Sequence, residues 1–247
     1  MSALRRFAGY FLVSLIASQL HAQQQDASVV FKFSWKYGKP SDYIITLHRT
    51  GQIDYISDDH SLSATQERNQ PVESNSEQSV QAADAASQDR FTKQFQATDA
   101  IRDKVFTLAE QVKFFDGQFE FTAHPVAQTG SKTLGYQDAM RHTATTYNYS
   151  ENLSIQALTE IFQGISLTIE SGRKLDFDRR FDKLSLHQDL KAMDELSKDG
   201  HLYEVQAIAP ILQRISNDRT VLHIAQQTAQ RILARAGLAP PPPSLPQ

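Results

Sequence analysis

The sequence predicts an α+β fold, in which an antiparallel sheet is packed by amphipathic helices and followed by an all-helical C-terminal appendage. Apolar residues alternate with a period of two in segments 31–37, 43–47, 119–121 and 134–149, as in half-buried strands. They recur at helical spacing over 101–115, 155–169 and most of the C-terminal third. With 247 residues, the chain is long enough to bury a core without disulfides.

The first 22 residues are interpreted as a signal peptide. Arg5 and Arg6 precede an apolar run over 7–17, and a short polar stretch then ends at Ala22. A membrane-spanning helix needs roughly 20 apolar residues, and this run is shorter. We therefore expect an exported bacterial protein, periplasmic or secreted, with no stable membrane insertion once the signal has been cleaved.

The first strands are predicted from aromatic and aliphatic alternation. Phe31, Phe33, Trp35 and Tyr37 alternate with polar residues, which places all four on one face of an extended strand. Turn residues over 38–42 and at 50–51 then predict a three-stranded meander. The aromatic stripe is a candidate binding surface, although packing beneath a helix as sheet core is the favoured interpretation.

The meander opens an α+β domain over residues 27–171. A disordered insertion is predicted at about 58–90, because its Ser, Gln, Ala and Asp residues bury too little apolar surface to offset chain entropy. Thr98 is the predicted N-cap of a helix that ends at Asp116 and Gly117, and strands are predicted around 119–121, 134–136 and 142–149.

A helical C-terminal region is predicted over 172–237 and a Pro-rich disordered tail over 238–247. Gly200 and Gly237 are predicted to end helices, and Pro210 to kink or divide one. Asn217 or Asp218 is the predicted N-cap of the last helix.

Composition excludes several classes of function. The chain has no cysteine, which removes thiol nucleophiles, thiolate metal sites and redox disulfides. Its formal charge is −3 and no basic cluster longer than two residues follows the predicted signal peptide, so nucleic acid is not expected as a partner. No cofactor is predicted, since Gly130 to Thr133 lacks the first glycine of a phosphate loop, and no Gly-x-Ser-x-Gly or His-Glu-x-x-His motif occurs.

Three sets of polar residues are candidates for a site. His124, Asp138 and His142 are the catalytic candidates, because they lie around one predicted strand pair. Arg179 and Arg180 could bind a carboxylate partner, although neighbouring aspartates are expected to neutralise them. His201 and Glu204 are metal-ligand candidates at helical spacing, a pair too common to predict a metal.

The absence of a concentrated polar constellation favours a non-enzymatic binding or interaction module of the cell envelope. Its partner would be a protein or a small ligand, bound by the sheet face or the C-terminal helices. The alternative is an exported hydrolase with a dispersed His/Asp/Glu site, which would require its titratable groups to converge on a pocket.

Overall fold

The computed structural model describes residues 27–58 and 90–238, and it confirms the predicted α+β fold. The predicted signal peptide, nearly all of the predicted insertion, and the tail after Leu238 lie outside the described residues. The chain divides into two compact units, residues 1–158 and 159–247. The sequence-predicted boundary between 171 and 172 falls inside a long helix that runs from the first unit into the second.

The first unit is built on a six-stranded sheet in the order β4-β3-β2-β1-β5-β6, with every neighbouring pair antiparallel. The strands are β1 (Ser28–Ser34), β2 (Asp42–His48), β3 (Gln52–Asp58), β4 (Phe91–Gln96), β5 (Ser131–Gln137) and β6 (His142–Tyr147). The predicted meander is therefore the centre of a wider sheet. Strand β4 was not predicted, and it joins the meander through β3.

The prediction of one aromatic face over 31–37 was wrong beyond the strand end. Strand β1 ends at Ser34, and the Trp35 N–H donates to the Ser41 carbonyl at 2.8 Å, which closes the turn into β2. Phe31 is buried and Phe33 half-buried, whereas Tyr37 is 70% exposed in the turn. The exposure of the aromatic side chains therefore increases along the chain, from the buried Phe31 to the exposed Tyr37.

One face of the sheet forms the core of the first unit. Helix α1 (Asp99–Gln111) begins at the predicted cap Thr98, whose hydroxyl accepts from the Ile101 N–H at 3.4 Å. Its buried residues are Val105, Phe106 and Ala109. The buried apolar side chains of the sheet are Val29, Phe31, Tyr43, Ile45, Leu47, Ile53, Tyr55, Leu134, Tyr136 and Tyr147.

The segment after α1 differs from the prediction. The helix ends at Gln111, and the following 3₁₀ turn (Lys113–Phe115) has positive φ angles of 53°, 57° and 66° at three non-glycine residues. Gly117, which was predicted to take the left-handed position, does not have a positive φ. No strand forms over 119–121, where the Phe121 N–H donates to the Tyr149 carbonyl at 2.9 Å.

The second unit is helical. The helices are α2 (Leu153–Phe181), α3 (Lys183–Lys198), α4 (Ala209–Asn217) and α5 (His223–Arg235). Their ends follow most of the predicted signals. Helix α3 is followed by Gly200 and helix α5 by Gly237, both with positive φ. Pro210 lies in the first turn of α4, directly after a 3₁₀ turn (Val205–Ile208), so the predicted division of this helix is confirmed.

The predicted cap of the last helix was wrong. The N-cap of α5 is Leu222, which provides no side-chain cap, whereas the Asp218 carboxylate accepts from the Thr220 N–H at 2.9 Å. Asp218 therefore shapes the corner before the helix. None of the helices in residues 27–58 and 90–238 is long and apolar enough to cross a membrane.

Candidate binding surface on the open face of the sheet

The sheet is buried on one face and open to solvent on the other, as in many antiparallel sheets. Strand β1 shows the alternation, with Val29 and Phe31 fully buried and Lys32 and Ser34 exposed on the opposite face. The register aligns open-face residues of all six strands in rows. Two of these rows are Gln94–Asp54–Thr46–Val30–Gly135–Ala144 and Thr92–Ile56–Ile44–Lys32–Thr133–Thr146.

A shallow depression of about 170 Å³ lies on this face, over strands β1, β5 and β6. It forms where Gly135 of β5, without a side chain, lies between Val30 of β1 and Ala144 of β6. A Cβ atom at Gly135 would lie 3.8 Å from the Ala144 Cβ and 4.0 Å from the Val30 Cβ. Since those are ordinary contacts, glycine is not required for packing here, and its effect is to leave the space open.

Polar side chains surround the apolar floor of the depression. Lys32 and Thr133 lie on one side, and Gln137 and His142 on the other. Residues four apart on a strand are separated by about 13 Å, so the two sides are about one small molecule apart. An ammonium, a hydroxyl, an amide and an imidazole around an apolar floor suit a small polar or anionic ligand.

A second polar feature of the open face is the Asp54 carboxylate, which forms hydrogen bonds with three side chains. Asp54 Oδ2 lies 2.8 Å from His48 Nε2, while Oδ1 accepts from Gln52 at 3.0 Å and Gln94 at 2.7 Å. Burial raises the pKa of Asp54, but the hydrogen bonds from Gln52, His48 and Gln94 outweigh it and hold the pKa below its ordinary value.

The His48–Asp54 pair resembles the base and orienting carboxylate of a hydrolase, but among the described residues no serine or threonine hydroxyl is hydrogen-bonded to His48. Ser28 lies directly opposite His48 on β1, yet the two side chains form no hydrogen bond in the described part of the chain. The donors to Asp54 come from β2, β3 and β4. The cluster therefore joins three strands.

The three catalytic candidates are not brought together. Asp138 accepts from the Met140 and Arg141 N–H groups, both at 2.7 Å, and so builds the β5–β6 turn beside His142. His124 is exposed and packs edge-on against Phe121, whose N–H bonds to Tyr149 beyond the other end of β6. Five to six strand residues span roughly 17–20 Å, so this geometry provides no shared pocket for His124, Asp138 and His142.

The aromatic candidates divide between core and turn. Phe31 is fully buried and belongs to the sheet core, and Phe33 stacks on Tyr43 with ring centroids 5.1 Å apart. Trp35 contacts Tyr37 edge-on at 5.9 Å in the turn after β1. The four residues do not form one continuous exposed stripe.

Both candidate arginines form ion pairs within the chain. Arg180 pairs with Asp176 one helical turn away, and Arg179 lies 3.4 Å from Asp218 and 3.8 Å from Asp176. Asp176 also lies 3.6 Å from Arg214. The aspartates neutralise these arginines, as the sequence analysis favoured.

The metal-ligand candidates do not share a helix. His201 and Glu204 lie in the segment between α3 and the 3₁₀ turn, so the helical geometry expected for them was wrong. Glu204 is buried, has a φ of 58° and accepts from Gln206. Over residues 27–58 and 90–238, no group of three or more His, Asp or Glu side chains is placed to hold a metal ion.

Sequence reasoning missed both features of the open face. His48 and Asp54 flank the Thr50–Gly51 turn. An even number of residues separates them across a tight hairpin, which could have predicted that both side chains lie on the same face of the sheet. The depression depends on Gly135 meeting Ala144, a match of register between β5 and β6. No family model matches the chain, and no curated protein matches it significantly.

Proposed function

We propose that this chain is an exported binding module of a bacterial cell envelope, and that the open face of its sheet takes a small polar ligand. The depression at Gly135 carries the proposal, because it is a concave spot with an apolar floor on the exposed face of the sheet. Its polar surroundings, Lys32 on one side and His142 on the other, suit a ligand with hydroxyl or carboxylate groups.

A binding role agrees better with this site than the hydrolase alternative does. The groups around the depression include the Lys32 ammonium, the Thr133 hydroxyl and the His142 imidazole, but no carboxylate lies among its lining residues to complete a His/Asp/Glu set. The catalytic candidates His124 and Asp138 have no common pocket with His142. A hydrolase built on those three residues would need them to share a pocket, so we propose the binding role instead.

Filling the depression tests the binding role. Ala144→Arg places a long side chain over the floor from an exposed position of edge strand β6. Thr92→Arg makes a comparable change on the same face, at an exposed position of the opposite edge strand β4. Both variants should fold, because exposed substitutions away from special features usually change stability by less than about 0.5 kcal/mol.

The chain without residues 1–22 is immobilised and exposed to the small-molecule fraction of a bacterial envelope extract, and retained compounds are identified by mass spectrometry. We expect the wild type and Thr92→Arg to retain a compound that Ala144→Arg binds at least about tenfold more weakly. Equal retention by both variants, or no retained compound, would contradict the proposed site.

Export requires a separate test. We expect the full chain, expressed in a Gram-negative host, to appear in the periplasm with a new N-terminus close to Gln23. Replacing Phe11 and Leu12 by Asp should abolish this by interrupting the apolar run. A full-length chain that stays in the cytoplasm would contradict export and leave the binding experiment unaffected.

A further inference from the structure

One end of the helical unit combines exposed apolar side chains with cations. Two corners meet there: the α2–α3 corner at Asp182 and the α4–α5 corner at 218–222. Lys183 donates to the Thr220 hydroxyl at 2.7 Å, and Arg179 pairs with Asp218 at 3.4 Å, so the two corners lie side by side. We call residues 176–184 and 214–224 the basic–apolar end.

The apolar side chains of this end extend into solvent. Phe181 is 71% exposed and Leu184 79% exposed at the first corner. The remaining exposed apolar residues of the end are Phe177, Leu222 and Ile224. Phe177 and Phe181 lie one helical turn apart with ring centroids at 4.9 Å, so they form one continuous apolar surface.

The charge of this end differs in sign from that of the chain. The whole chain carries a formal charge of −3, whereas the end presents five cations and three partly or fully exposed carboxylates. The cations are Arg179, Arg180, Lys183, Arg214 and Arg219. The fourth carboxylate, Asp178, is buried and faces Lys174 and Asp189.

The three carboxylates are already engaged by neighbouring groups of the protein. Asp182 caps α3 by accepting from the Ser185 N–H at 3.1 Å, and Asp218 accepts from Thr220. Asp176 pairs with Arg180. Among the described residues, Arg219 pairs with no carboxylate, so positive charge is left over for an external anion.

From this arrangement we propose that the basic–apolar end docks on the surface of an anionic phospholipid bilayer. The exposed apolar residues would enter the boundary between headgroups and acyl chains, while the cations contact lipid phosphates. Partial exposure of five such side chains amounts to about 500 Å². A second copy bound through the same surface would place these cations against each other, so the charge favours an anionic bilayer over self-association.

Sedimentation with lipid vesicles tests this proposal. Vesicles of phosphatidylcholine alone are compared with vesicles of equal parts phosphatidylcholine and phosphatidylglycerol. The full chain and the chain starting at residue 23 are measured in parallel, and every variant carries the same N-terminus as its reference, so the N-terminal contribution cancels. We expect at least about tenfold stronger binding to the anionic vesicles, with a decrease as salt is added.

Two double variants separate the apolar and the charged contributions. Phe181→Ser with Leu184→Ser should weaken binding to anionic vesicles at least about tenfold. Lys183→Glu with Arg219→Glu should weaken it at least about tenfold and remove the preference for anionic lipid. The matched controls are Leu153→Ser, a leucine 80% exposed in the first turn of α2, and Lys104→Glu, an exposed lysine of α1.

Circular dichroism verifies that each variant is folded. Equal binding to both vesicle types, or equal losses in the controls and the double variants, would overturn the proposal. Capture of an envelope protein that both double variants lose, without vesicle binding, would also overturn it by assigning this end to an acidic protein. The outcome does not depend on the sheet depression, which none of these substitutions touches.

Discussion

The ammonium group of Lys132 lies 2.8 Å from the backbone carbonyl of Asn148, to which it donates a hydrogen bond. The same ammonium donates to the Thr129 hydroxyl at 3.0 Å and to the Gly130 carbonyl at 3.2 Å. Burial lowers the pKa of Lys132, while the nearby Glu120 carboxylate opposes that change. Lys132 therefore fixes the irregular segment before β5 to the residue after β6.

Replacing Lys132 with Met should leave three acceptors without their donor, among them the buried Gly130 carbonyl. We expect the free energy of unfolding to fall by about 2–3 kcal/mol, measured by urea denaturation. Lys32→Met, at an exposed position of the open face, should change it by less than about 0.5 kcal/mol. Equal effects at the two positions would contradict a structural role for the Lys132 hydrogen bonds.

Much of the sheet could be predicted, because alternation in β1 to β3 is strong and the Thr50–Gly51 turn is distinct. Strand β4 was missed since Lys93 occupies a position on its inner face between Phe91 and Phe95. A cationic residue weakens the apolar alternation. Pairing with strand β3 therefore stabilises the extended conformation of β4.

The left-handed turn at Lys113 to Phe115 could not be predicted from local residue types. Positive φ favours Gly and Asn, and neither occurs there. Tertiary contacts hold it instead, since the Thr143 hydroxyl of β6 donates to the Phe114 carbonyl and Arg141 lies 4.5 Å from the Phe114 ring. The depression was hidden for a similar reason, because it depends on cross-strand register at Gly135.

A buried carboxylate joins two helices of the second unit. Asp194 of α3 accepts from Arg235 of α5 at 3.0 Å and lies 3.4 Å from Arg231. Burial raises the pKa of Asp194, but Arg235, Arg231 and Lys198 outweigh it and lower the pKa. We expect Asp194→Ala to lower the free energy of unfolding by about 2–3 kcal/mol, because it leaves Arg231 and Arg235 without their carboxylate partner.

The neighbouring Glu195 provides the matched control for Asp194. It is exposed and pairs with Lys198 at 2.7 Å. Glu195→Ala should cost less than about 0.5 kcal/mol in the same denaturation experiment. A loss in Asp194→Ala no larger than in this control would show that the α3–α5 ion pairs contribute little.

The α2–α3 corner predicts a pH dependence of stability. Burial and the adjacent Asp189 carboxylate raise the pKa of Asp178 from 3.8 to about 6, although Lys174 opposes them. Because the folded state favours the protonated acid, this stabilisation is complete below pH 3.8 and is lost as the pH rises through about 6. The contribution is on the order of 3 kcal/mol.

Asp178→Asn should remove that dependence, since an amide keeps a donor toward Asp189 without titrating. We expect the variant to unfold at nearly the same urea concentration at pH 4.5 and pH 7, roughly the window that this group governs. The wild type should be less stable at pH 7 than at pH 4.5, by the free energy that the Asp178 group contributes. If the stability of the two proteins changed equally with pH, the pH dependence would belong to groups other than Asp178.

Gly172 permits close contact between α2 and the 3₁₀ turn of the second unit. A Cβ atom there would lie 3.0 Å from the Ile208 Cβ and closer still to the Ile208 Cγ2. Alanine favours helix by about 1 kcal/mol over glycine, yet overpacking costs typically 1–3 kcal/mol. We expect Gly172→Ala to lower the midpoint of thermal unfolding. The same substitution should lower the midpoint less when it is made in the Ile208→Ala variant, where the contacted side chain is shorter. A Gly172→Ala variant more stable than the wild type would mean that helix propensity outweighs this contact.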